Sequence, residues 1–172
     1  MSQTNYWEQI EEAFENVDIY ETPEVFKQGA AKYPEWKIDL LAVHWTMSEI
    51  VNGGLMQYFE NSTAVLAPDA VVGFERIGMP DLANTLKSAM SLLGEVYPRE
   101  RELRSERLAA LTGRKPGESQ GFSVIPKWVG GKTGMKSGDE APSPFSESDD
   151  VLAPAWDAVE AAMDAYAIAK TS

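Results

Sequence analysis

The chain contains no cysteine. That excludes disulfides, thiolate metal sites and a cysteine nucleophile, and it fits a reducing compartment. Histidine occurs once, at His44, so neither a paired-histidine metal site nor an HExxH helix can be written. No EF-hand loop and no Gly-x-Ser-x-Gly elbow is present. Gly113-Arg-Lys-Pro-Gly117 lacks the spacing and the terminal Lys-Ser/Thr of a phosphate-binding loop, and Gly130-Gly131-Lys132-Thr133 lacks the first glycine at the required distance upstream. No metal and no cofactor is therefore expected. Long apolar runs are missing too: none approaches the ~20 residues that span a bilayer. The opening MSQTNYWEQIEEAFENVD lacks the basic, apolar and small-residue regions of a signal peptide. A cytoplasmic location is the expectation.

Positive charge is scarce. Fifteen Lys and Arg face 27 Asp and Glu, for a net charge of −12. Phosphate contacts need cations, so this balance argues against direct binding to nucleic acid or to an anionic membrane, and it favours a basic partner. The charge is uneven. Residues 1–60 hold 11 acids and 3 bases, and residues 139–172 hold 8 acids and 1 base, whereas residues 112–138 hold 1 acid and 5 bases.

With 172 residues, 44% of them apolar, and five Trp, six Tyr and six Phe, the chain suits one domain, 1–172, with a sizeable core. The apolar spacing is helical throughout, so the expected fold class is all-α: a compact multi-helix domain around a buried central helix. Tyr6, Trp7, Ile10, Phe14 and Val17 form one apolar stripe, with Glu8, Glu11, Glu12 and Glu15 on the other side. Leu152, Trp156, Val159, Met163 and Tyr166 form another, with Asp157, Glu160 and Asp164 on a different face and Ser148, Asp149 and Asp150 as capping residues. Pro23, Pro34, Pro68 and Pro80 mark helix starts, and Gly78 a helix end. The helix opened by Pro34 is apolar almost all round, from Trp36 to Val51, and is the candidate for the central position. Residues 98–111 form a charged helix in which Glu100 and Arg104 have ion-pair spacing. Residues 112–147 break the pattern. They are rich in Gly, Pro, Ser and Lys and are expected to form an inserted flexible loop, with a short β segment at Phe122-Ser-Val-Ile-Pro-Lys-Trp-Val129.

The most distinctive local sequence runs from His44 to Ser62. Asn52-Gly53-Gly54 predicts a helix stop, with Gly53 in the left-handed conformation. Asn61-Ser62 predicts a second stop or the cap of the next helix. His44 reads as a buried, hydrogen-bonded histidine. Glu49 lies five residues on, about 140° around the helix, and does not face it. A carboxylate in so apolar a segment needs a partner, either a neighbouring helix N-terminus or the Gly53 and Gly54 amides. An enzymatic pocket around His44, Glu49, Asn52 and Gln57 is the alternative.

Glu49, Asn52-Gly53-Gly54, Gln57-Tyr58-Phe59 and Asn61-Ser62 together resemble the signature of a family of small, acidic, all-helical bacterial domains, one member of which is a DNA mimic that binds a transcription factor through its negative surface. The resemblance covers roughly residues 35–110 and 148–168. It implies a helical fold in which these motif residues are structural, and an interaction protein rather than an enzyme. The residues expected to meet a basic, DNA-binding partner are then Glu8, Glu11, Glu12, Glu15, Asp157, Glu160 and Asp164. An immunity or toxin-neutralising protein is a further alternative with the same acidic surface.

Overall fold

Three of the four prolines read as helix starts stand in the first turn of their helices, where the missing N–H costs nothing, and the fourth, Pro34, stands immediately before its helix. The computed structural model describes residues 5–115 and 143–172. These form α1 (Tyr6–Asn16), α2 (Pro23–Ala30), α3 (Glu35–Glu60), a 3-10 turn (Ser62–Leu66), α4 (Ala67–Arg76), α5 (Pro80–Ser91), α6 (Arg101–Thr112), α7 (Ser146–Leu152), a second 3-10 turn (Ala153–Ala155) and α8 (Trp156–Thr171). The described residues contain no strand. None of their helices is long and apolar enough to cross a membrane. The expected β segment at 122–129 and most of the expected loop lie outside the described residues.

Helix α3 is the central element, and α1, α4, α6, α7 and α8 all pack on it. Leu40, Leu41, Val43, Met47 and Ile50 are fully or almost fully buried, whereas Val51 is half exposed and so falls outside the expected core. Each such aliphatic side chain contributes roughly 1.5–3 kcal/mol by leaving water. Helix α4 approaches α3 closely at Gly73. A Cβ there would stand 2.6 Å from Val43 Cγ2 and 2.7 Å from the Asp39 carbonyl oxygen, so only glycine fits.

The structure corrects several expectations. The stop expected at Asn52-Gly53-Gly54 is present: α3 is two helical runs joined across a kink, the second of which continues to Glu60. The one residue out of helical conformation is Gly54 (φ 77°, ψ 176°). This region is open essentially to glycine alone. Gly53, expected to be left-handed, is part of the helix. Ser148, Asp149 and Asp150 do not cap the closing helix, because they lie inside α7. Asp149 instead accepts the Leu55 N–H at 2.7 Å and so caps the part of α3 that restarts after the bend. The last residues of the range expected to be loop, 112–147, are ordered otherwise: Phe145 is fully buried, its ring centroid 5.1 Å from that of Phe59, and α7 begins at Ser146.

Arg104 departs furthest from its expectation. It is fully buried and forms no ion pair with Glu100. Its guanidinium donates to the backbone carbonyls of Phe59 (3.1 Å), Asn61 (2.7 Å), Pro98 (3.4 Å) and Arg99. A cation at the carboxyl end of α3 meets the negative end of the helix dipole and satisfies carbonyls that the helix leaves free. Arg101 and Arg99 act alike: Arg101 Nε donates to the Glu60 carbonyl, and Arg99 Nη1 to the Val65 carbonyl and to Asp69. Three of the chain's scarce cations are thus engaged on backbone carbonyls, Arg104 buried, Arg99 partly buried and Arg101 exposed.

Candidate functional site

The signature segment is assembled around Glu49. Its Oε2 accepts from Asn61 Nδ2 at 2.9 Å and from Gln57 Nε2 at 3.4 Å, and its Oε1 accepts from Thr63 Oγ1 at 3.1 Å. The partners are side chains beyond the bend, not the Gly53 and Gly54 amides. Asn61 is the junction of the network. Its side chain holds Glu49, its carbonyl accepts from Arg104, and its N–H closes α3 on the Gln57 and Tyr58 carbonyls. Tyr58 is fully buried, with its hydroxyl 2.7 Å from Thr46 Oγ1, and Phe59 is fully buried beside Phe145 and Tyr97. Asn52 and Gly53 are exposed, and Ser62 opens the 3-10 turn. The motif therefore makes a bent helix end and fastens it. Thr63 and Arg104 belong to this network, but the sequence pointed to Thr63 not at all and to Arg104 only as a helical ion-pair partner of Glu100. Threonine and arginine are common on helical surfaces, and only the return of the chain past residue 97 brings Arg104 to the α3 terminus.

His44 is not part of this network. Its Nδ1 lies 3.1 Å from the Tyr6 hydroxyl, and its ring is surrounded by Trp7, Phe14, Trp45 and Trp156 at centroid distances of 5.2 to 6.2 Å. Burial pushes its pKa down to about 4, because the charged imidazolium loses hydration among these rings. It is neutral at pH 7. Of the four residues of the alternative pocket, only Glu49 and Gln57 are brought into contact. A groove of about 620 Å³ is lined by Glu35, Trp36, Arg76, Tyr166 and Lys170 and contains none of them. The described residues hold no cluster of His, Asp and Glu able to bind a metal.

The acidic residues singled out at the two ends lie on neighbouring helices. Helices α1 and α8 pack together, and the Tyr6 N–H at the start of α1 donates to Asp164 Oδ1 at 2.8 Å. Burial, with Glu160 and Asp164 nearby, pushes the Tyr6 hydroxyl up to about 12. Glu8, Glu11, Glu12, Glu15, Asp157 and Glu160 are exposed, and none of them has an ion-pair partner among the described residues. Asp164 differs from its expectation. It is half buried, and its carboxylate is engaged as a cap of α1.

A bent central helix fastened by a buried arginine, flanked by two acidic terminal helices, defines a helical scaffold with a carboxylate-bearing surface. The family model for DMP19-like protein matches residues 31–125, more than half of the chain, and the chain belongs to that family. The match takes in α3 to α6 and the whole Glu49–Ser62 network, whereas α1, α2, α7 and α8 lie outside it. No curated protein and no solved structure matches the chain.

Proposed function

We propose that this protein is an acidic interaction domain of the DNA-mimic kind, which binds a basic, DNA-binding partner protein through carboxylates on α1 and α8. The observation that supports the reading is the junction of these two helices at Tyr6 and Asp164, which sets the helix that bears Glu8, Glu11, Glu12 and Glu15 against the one that bears Asp157 and Glu160. One exposed ion pair contributes only about 0–1 kcal/mol, so an electrostatic interface needs many charges on neighbouring elements. Carboxylates at i and i+4 on a helix stand about 6 Å apart along the axis, close to the roughly 6–7 Å between successive phosphates of one DNA strand, whose axial rise is about 3.4 Å per nucleotide. Membership of the DMP19-like family is compatible with this role, and the shortage of surface cations agrees with it. The partner would be a cytoplasmic protein that otherwise holds DNA phosphates with Lys and Arg.

The test is capture of partners from the native cell lysate at low salt, followed by elution with duplex DNA. Proteins that bind DNA themselves, and that duplex DNA displaces, support the reading. A partner that duplex DNA fails to displace contradicts it.

A further inference from the structure

Charge alone gives encounter rate and solubility more readily than specificity. The surface between α1, α3 and α8 holds a second feature that supplies what charge lacks. Trp7, Phe14, Trp45 and Trp156 are all partly exposed. Phe14 stacks on Trp45 at 4.9 Å with an interplanar angle of 4°, Trp7 meets Phe14 edge-on at 4.9 Å, and Trp7 and Trp156 both pack on His44. Three of the chain's five tryptophans are in this cluster. Three of its four rings are followed in sequence by an exposed carboxylate: Trp7 by Glu8, Phe14 by Glu15 and Trp156 by Asp157. A step of one residue is 100° around a helix, so the acids rim the rings instead of covering them. Aromatic anchors inside a polar rim are the usual anatomy of a binding hot spot.

Among the described residues, Lys37 sits over Trp36, Arg99 over Phe26 and Lys170 over Tyr166, while Arg76 is held by Glu35 and Asp39. These rings all lie outside the cluster, which instead sets ring faces beside exposed carboxylates and so suits a cation.

We infer that the Trp7–Phe14–Trp45–Trp156 cluster is the anchoring part of the docking surface and that it takes arginine side chains of a basic partner. The inference rests on the reading of α1 and α8 as the binding surface. Its chemistry comes from the pairing of ring and carboxylate. A guanidinium is planar and weakly hydrated, stacks on an indole face, and donates two parallel hydrogen bonds to a carboxylate beside it. A lysine ammonium can also lie over a ring, but it is a strongly hydrated point charge that neither stacks flat nor makes the paired hydrogen bonds. A row of carboxylates alone favours arginine only through that paired hydrogen bonding, and the ring faces add the stacking that the tryptophan variants remove.

The experiment titrates the full chain with nona-arginine and with nona-lysine, peptides of equal charge, and reads affinity by calorimetry. The arginine peptide should bind at least about fivefold more tightly. Trp7→Leu combined with Trp156→Leu should reduce that preference to less than about twofold, by weakening nona-arginine more than nona-lysine. A readout on the wild type needs no variant to fold: the indole N–H signals of Trp7 and Trp156 should move with nona-arginine, and that of Trp36, already covered by Lys37, should not. Equal affinity for the two peptides, a preference that survives in the double variant, or movement at Trp36 alone would overturn the inference. Glu8, Glu11, Glu12, Glu15, Asp157 and Glu160 replaced together by Gln or Asn separate this failure from that of the acidic-surface reading. If that variant loses both peptides, the surface stands whatever becomes of the arginine preference. If neither peptide binds the wild type, or both bind the variant unchanged, both ideas fall.

Discussion

The Asp164 carboxylate and the Tyr6 N–H, 158 positions apart in sequence, meet at 2.8 Å and join the first described helix to the last. Helix α1 already has a local cap, since the Asn5 side chain accepts the Glu8 N–H, so Asp164 satisfies a second of the four free amides at this terminus. Asp164→Ala should lower stability by about 0.5–2 kcal/mol, the usual cost of a lost cap. Asp164→Asn keeps an acceptor and should lower it less. Chemical denaturation of both variants measures this, and equal losses would mean that the negative charge, not the hydrogen bond, holds the junction.

The bend in α3 depends on Gly54, and Gly53 is nearly dispensable. Gly54→Ala places a side chain at φ 77° and a Cβ 2.9 Å from Asp149 Oδ2. It should cost about 1–3 kcal/mol. Gly53→Ala displaces only the flexible end of Gln57 and gains up to about 1 kcal/mol of helix propensity, so its stability should stay within about 1 kcal/mol of wild type. Thermal melting of the two variants decides, and the reverse order would contradict the account of the bend.

Arg104 should be the least replaceable charged residue in the described fold. Arg104→Met leaves the Phe59 and Asn61 carbonyls without their donor, and a loss of about 2–5 kcal/mol is expected, at about 1–3 kcal/mol for each buried carbonyl left unsatisfied. Arg104→Lys should not restore it, because an ammonium cannot reach carbonyls spread around a planar fork. Equilibrium unfolding of the two variants provides the comparison, and wild-type stability in either would show that the carbonyl contacts contribute little.

His44 predicts a pH dependence with a definite sign. Its folded pKa of about 4 lies below its unfolded value of roughly 6.5. The unfolded chain therefore takes up the proton first as pH falls. The contribution of neutral His44 is fully present above about pH 6.5 and is lost progressively toward pH 4, with an upper bound of about 3 kcal/mol. Burial raises the pKa of Asp39, Asp149 and Glu60, which acts with the opposite sign at lower pH. Wild type compared with His44→Gln isolates the histidine. As the only histidine, it also gives an unambiguous ring signal in proton NMR, and that signal should not titrate above pH 5. A midpoint near 6.5 would mean that the aromatic surround is open to water.

Much of this fold is legible in the sequence because helical periodicity and proline positions are local signals. The Tyr6–Val17 stripe, the apolar run after Pro34 and the starts at Pro68 and Pro80 are each decided within a few residues. What escaped was contact between distant segments. Arg104 at a helical ion-pair spacing looks like a surface residue until the chain returns to the end of α3. Asp149 looks like a local cap until α7 is laid across the bend. Asp164 likewise reads as one more surface acid until α1 supplies an amide. Two adjacent glycines cannot tell which of them carries the bend, and the packing of Asp149 against Gly54 assigns it. In the candidate site, the exposed acids of α1 and the seclusion of His44 from Glu49 followed from helix geometry alone. The clustering of Trp7, Phe14, Trp45 and Trp156 around His44 did not, since it needs three helices to be brought together.

The most direct test of the acidic surface is the salt dependence of binding between this chain and a DNA-binding protein captured with it. Affinity should fall steeply as salt rises, because many exposed charges act together within a Debye length of about 8–10 Å. The variant with Glu8, Glu11, Glu12, Glu15, Asp157 and Glu160 replaced by Gln or Asn should melt like wild type, bind at least about tenfold more weakly at low salt, and show a flattened salt slope. A variant that binds as tightly as wild type at both low and high salt would contradict the account.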